Sequence, residues 1–117
     1  MFFGQPGSGP VSGPMVQVKV PQNLPEELIS GQKLFEKNCS ACHGKLADGS
    51  SNGPPLIHKV YEPNHHADAS FFRAAKQGVR AHHWSFGNMP PVKGVNSNDV
   101  KSIVSYIRTL QRENRIF

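Results

Sequence analysis

Cys39-Ser40-Ala41-Cys42-His43 uses both cysteines of this 117-residue chain and sets a histidine directly after the second. A C-x-x-C run suits a thioredoxin-like redox pair, half of a zinc site, or thioether attachment of a haem whose iron takes the adjacent imidazole. A redox pair expects a βαβ setting, whereas here a helical pattern leads into the run and a Gly/Ser/Pro loop leaves it. Zinc expects four ligands, with histidines roughly three to five residues apart, and His65 and His66 are adjacent. The run therefore reads as a covalent c-type haem attachment signature, with Cys39 and Cys42 as thioether donors and His43 as an axial ligand.

The rest of the composition agrees with one small domain built around such a group. Only 37% of residues are hydrophobic, so little apolar surface offsets the ordering entropy of the chain. A buried haem supplies the missing core, which predicts that protein lacking both thiols folds poorly. Thirteen Lys/Arg against eight Asp/Glu give a formal charge of +5. Two haem propionates would lower that to about +3, still enough to steer encounters with acidic proteins. The basic residues are scattered and accompany no nucleic-acid-binding motif.

No stretch approaches the roughly 20 apolar residues of a membrane span, and Met1-Phe2-Phe3 is too short for a signal-peptide core. Covalent haem attachment nevertheless goes with export. The expected location is periplasmic or another extracytoplasmic compartment, with a leader or membrane anchor upstream of residue 1.

The chain divides near residue 23. Residues 4–14 are rich in Gly, Pro and Ser and read as a tether, and Val16, Val18 and Val20 alternate with polar residues like a short exposed strand. Residues 1–23 are thus expected to form an arm and 24–117 the haem domain. A first helix is expected over 25–38, with Pro25 in the first helical position and Glu26 and Glu27 complementing the dipole. Gly31 inside it costs about 1 kcal/mol relative to alanine, which makes sense if another helix backbone approaches there. A middle helix is expected over 69–77, capped by Asp68 and stopped by Gly78, with Phe71, Phe72, Ala74 and Ala75 as core.

The last helix has the strongest pattern. Asn96 caps it, Asp99 stands at N3, Val95 can staple to Val100, and Val100, Ile103, Val104, Ile107 and Leu110 follow at helical spacing. Three helices joined by long Pro/Gly loops fit a compact domain only if a large cofactor occupies its centre.

Taken in order, Gly31 and Phe35, the Cys39 to His43 run, Gly53-Pro54-Pro55-Leu56, Asn88-Met89-Pro90-Pro91 and Tyr106 make residues 25–112 resemble a class I, single-haem cytochrome c. The resemblance implies an all-α cytochrome c fold, three to four helices around one covalent haem c, with the first and last helices crossing at Gly31, Phe35 and Tyr106. It also implies that the other ring nitrogen of His43 bonds the carbonyl of Pro54, and that Met89 takes the sixth iron position. A proline at position 54 loses nothing as an acceptor and stiffens its loop.

Met89 suits that role on its own terms, since it lies in a loop before two prolines and a thioether opposite imidazole favours ferrous iron. His82 and His83 are rival ligands a few residues upstream, while His58, His65 and His66 read as solvent-facing or hydrogen-bonded. Leu56, Trp84 and Phe86 are candidate haem walls, and Trp84 or Arg80 a candidate propionate contact.

The expected function is one-electron transfer between redox proteins of a respiratory or photosynthetic chain, with no catalytic residue. Lys45, Lys76, Arg80 and Lys93 would guide docking on an acidic partner. Two alternatives stand beside it. One is a subunit fixed in a larger redox complex through the N-terminal arm; the other is a haem enzyme or gas sensor with an open or labile sixth position.

Overall fold

The computed structural model describes residues 15–80 and 87–117. Four α-helices account for its regular structure: α1 over Glu26–Asn38, α2 over Ser40–His43, α3 over Asp68–Gln77 and α4 over Ser97–Glu113. A 3-10 turn at Lys59–Tyr61 lies between α2 and α3. Among the described residues β pairing is limited to two isolated bridges, Ser50 with Gly53 and Val79 with Met89. The fold is all-α, and the alternating valines of residues 16–20 form no strand.

The pairing of α1 with α4 follows from one missing side chain. A Cβ at Gly31 would fall on the carbonyl of Ser102 and come within 3.1 Å of Tyr106 Cβ, so only glycine lets the two backbones approach this closely. Phe35, one turn on, packs its ring 5.9 Å from that of Tyr106 at an interplanar angle of 52°. This tilted geometry is the one aromatic quadrupoles favour. The five apolar residues spaced along α4, from Val100 to Leu110, are all buried.

Helix starts follow the sequence in one case and correct it in two, while α1 ends at Asn38 and α3 stops at Gly78 as expected. At α4, Asn96 Oδ1 accepts from the Asp99 N–H at 2.8 Å while Asp99 Oδ2 accepts from the Asn96 N–H at 3.1 Å, a complete capping box. At α1, Pro25 is the N-cap rather than the first helical residue: its ψ of 146° is extended, and its carbonyl accepts from Leu28 N–H at 2.9 Å. At α3 the N-cap is Ala67, and Asp68 is the first helical residue. The Asp68 carboxylate does not cap because it is engaged by Arg108, whose Nε donates to Oδ1 at 2.8 Å.

The segment before α1 lies against the domain. The N–H groups of Met15 and Val16 donate to the Asp48 carbonyl at 2.8 and 3.3 Å. Lys19 and Asn114 bond reciprocally, Lys19 N–H to Asn114 Oδ1 at 2.7 Å and Asn114 Nδ2 to the Lys19 carbonyl at 2.8 Å. Val18 and Leu24 pack against the core.

Candidate haem-binding site

The attachment run is itself a helical turn, which the sequence reading did not anticipate. The chain breaks from α1 at Cys39, with φ −126°, and restarts as α2. His43 N–H donates to the Cys39 carbonyl at 3.0 Å and Gly44 N–H to the Ser40 carbonyl at 2.9 Å. Residues four apart share a helix face, so this turn aims Cys39 and His43 at the same cavity. Cys42 is exposed beside them.

The loop that follows is folded back to hold this turn. Gly49 N–H donates to the His43 carbonyl at 2.7 Å, and Ser50 Oγ donates to the Cys42 carbonyl at 2.6 Å, so orphan carbonyls at the end of α2 find partners. A Cβ at Gly53 would lie 2.6 Å from the Cys42 carbonyl, so the return strand of the loop passes too close for any other residue.

His43 is buried, and its Nδ1 bonds the Pro54 carbonyl at 2.8 Å. A carbonyl can only accept, so Nδ1 carries the proton and Nε2 is the nitrogen left with a lone pair. Burial lowers the His43 pKa from its ordinary value, with the Pro54 bond opposing in part. Burial favours the neutral imidazole and the Pro54 bond orients it, the arrangement that suits a metal ligand. Burial, reinforced by Cys42, pushes the Cys39 thiol up to about 11.

The cavity has a volume of about 490 Å³, within the range of cofactor sites. Cys39, His43, Pro54 and Leu56 line it on the attachment side. Its remaining wall is drawn from the 3-10 turn, α3, the segment between α3 and α4 and the first turn of α4, and includes Tyr61, Phe71, Val79, Met89 and Val100. Its apolar base, Phe35, Leu56, Ile103 and Ile107, belongs to the core of the whole molecule.

Met89 reaches this wall through backbone pairing. Its N–H donates to the Val79 carbonyl at 2.8 Å, and its carbonyl accepts from Val79 N–H at 2.9 Å. Gly78, at φ +81°, turns the chain out of α3 under the Met89 carbonyl, where a Cβ would collide. Arg80 is exposed at the cavity edge. Trp84 and Phe86, and the rival ligands His82 and His83, lie outside the described residues.

A family model for cytochrome c matches residues 28–111. The chain belongs to the cytochrome c family. A relative in Rubrivivax gelatinosus, named cbb3-type cytochrome c oxidase subunit CcoP, is 31% identical over 88 residues. The match covers 74% of this chain and 27% of that protein, so this cytochrome c spans about a quarter of its relative. No solved structure gives a significant match.

Membership implies covalently bound haem c, and the residues present fit it. An apolar cavity opens beside a thiol and a neutral, oriented imidazole, and the close approach at Gly53 fixes the loop behind them. Such a site supports electron transfer.

Three contributors have no place in the site on the sequence alone, where His66 reads only as solvent-facing or hydrogen-bonded. His66 lines the cavity, with Nδ1 2.6 Å from the Val60 carbonyl. Buried Gln111 on α4 donates from Nε2 to the carbonyls of Leu56 at 3.0 Å and Tyr61 at 2.9 Å. Buried Arg108, one turn earlier, holds the same loop. The helical period marks both as polar interruptions of an apolar face, which was the available signal.

Proposed function

We propose that this cytochrome c is a one-electron carrier whose haem is attached through Cys39 and Cys42 and bound axially by His43 and Met89. The observation that carries the reading is the presence of Cys39, His43 and Met89 in the wall of one cavity. Bound haem supplies a one-electron Fe(II)/Fe(III) couple. The chain's part is to orient His43 through Pro54, to hold Met89 by its pairing with Val79, and to exclude water with Leu56, Phe71 and Val100. Pro54 and Leu56 act as positioning and wall residues and Arg80 as a propionate contact, with Trp84 and Phe86 as further candidates for wall and propionate. No group need act as acid or base, and the protein is then no enzyme by itself.

The partner would present an acidic surface. Lys45, Lys76, Arg80 and Lys93 are all exposed, and Arg80 stands at the cavity edge where electrons would pass. No helix among the described residues is long and apolar enough to cross a membrane. An extracytoplasmic site of action follows from covalent haem attachment. The similarity to a cbb3 oxidase subunit favours a second reading with the same chemistry, in which the domain is fixed in a membrane-bound redox complex.

The test is optical. Oxidised protein is expected to show the weak near-infrared band of methionine ligation, and Met89→Ala to abolish it and lower the reduction potential. Survival of the band in that variant overturns the ligand assignment and turns attention to His82 and His83. Rapid carbon monoxide binding by the unaltered protein at neutral pH overturns the closed carrier.

A further inference from the structure

Arg108 is 7% exposed on the largely apolar buried face of α4, where an ionised group is costly unless its donors are met. Four bonds meet them, three from residues 61–68 and one from Gln111 of the same helix. Nε donates to Asp68 Oδ1 at 2.8 Å, Nη1 to the Tyr61 carbonyl at 2.7 Å and to Gln111 Oε1 at 2.8 Å, and Nη2 to the His66 carbonyl. The guanidinium carbon stands 4.9 Å from the centroid of the Phe71 ring. Tyr61, His66 and Phe71 all line the cavity, whereas Arg108 does not, so the cation sits behind the wall it holds.

We infer that Arg108 is a positioning residue that also sets the redox balance: it fixes the wall at Tyr61, His66 and Phe71 and places a permanent positive charge behind it that favours the reduced centre. The inference rests on the electron-carrier reading. A guanidinium stays protonated at any working pH, so the charge is constant. Gaining an electron removes one positive charge from the iron, so a nearby cation repels the oxidised form more than the reduced one. Asp68, 63% exposed, is screened by solvent and offsets the buried guanidinium only in part. Arg73 and Arg80 also line the cavity, but both are exposed and correspondingly screened.

The two members of the ion pair therefore have opposite expected effects. Spectroelectrochemical titration of haem-loaded Arg108→Met is expected to show a lower midpoint, a shift in the ferrous-to-ferric ratio of up to about tenfold, or about 59 mV for a one-electron couple. Asp68→Asn is expected to raise the midpoint by about twofold in the same ratio, because it removes the partner and leaves the cation. A brace with no electrostatic role would loosen the wall in both variants and move both midpoints the same way. That outcome overturns the inference, as does an unmoved or lowered midpoint in Asp68→Asn, the variant that decides alone if Arg108→Met yields no haem-loaded protein. Haem-bearing protein with unmoved midpoints removes only this inference. Absence of covalent haem from the unaltered protein removes the electron-carrier reading as well.

Discussion

Burial decides what individual titratable groups do here, and Tyr106 is the group on which its effect can be weighed against pH. Its phenol is fully buried in the α1/α4 crossing, and its pKa is raised above 10.0 by that burial, with Gln32 pulling the other way and Glu36 and Asp48 adding like charge. Below about pH 10 the native and unfolded states both hold the proton and stability is unaffected. Above it the unfolded chain releases a proton that the native state keeps, so stability falls as pH rises through the raised native value. Tyr106→Phe removes the phenol, and melting temperatures of the haem-loaded protein between about pH 8 and 11 are expected to decline less steeply in the variant than in the parent. Equal slopes would show that Tyr106 does not couple to folding. Cys39, Cys42 and His43 were legible in sequence because their chemistry is local. Arg108 was not, since Asp68 lies 40 residues away and the Tyr61 carbonyl 47, separations that no periodic pattern encodes.

At the scale of elements, the contact between α1 and α4 depends on the absence of a side chain at Gly31. Gly31→Ala would gain about 1 kcal/mol of helix propensity, yet its Cβ would strike the Ser102 carbonyl, a backbone atom in the middle of α4 that has no rotamer by which to yield. Overpacking of this kind costs about 1–3 kcal/mol, so the steric loss outweighs the propensity gain. Denaturant unfolding of haem-loaded Gly31→Ala is expected to give a lower midpoint with an unchanged slope. A higher midpoint would mean that the helices can part at no cost. The crossing was readable because glycine within a helical pattern is conspicuous, and the α4 capping box because its two residues are three apart. The starts of α1 and α3 were misplaced by one residue. For Asp68 the reason is tertiary: the carboxylate that would cap α3 is drawn to Arg108 instead.

For the whole molecule, the cavity and the core share their residues. Phe35, Leu56, Ile103 and Ile107 belong to the main buried cluster and also line the 490 Å³ space beside Cys39 and His43. Helices α1 and α4 pack directly on each other beside that space, and α3 with the segment around Met89 completes its lining. A domain in which only 37% of residues are hydrophobic has little further apolar surface with which to close such a gap. Closing it with a bound group adds stability because that group binds the folded state alone. Cys39→Ser combined with Cys42→Ser prevents attachment while changing one atom in each side chain, and it leaves the Gly31, Phe35 and Tyr106 side chains of the α1/α4 crossing unaltered. The expected product retains some helical circular dichroism from the crossing but melts without a sharp transition and exposes apolar surface to a hydrophobic dye. A cooperative melt of the haem-free variant at high temperature would show instead that the four helices carry the fold unaided, and that the low apolar content seen in the sequence was sufficient after all.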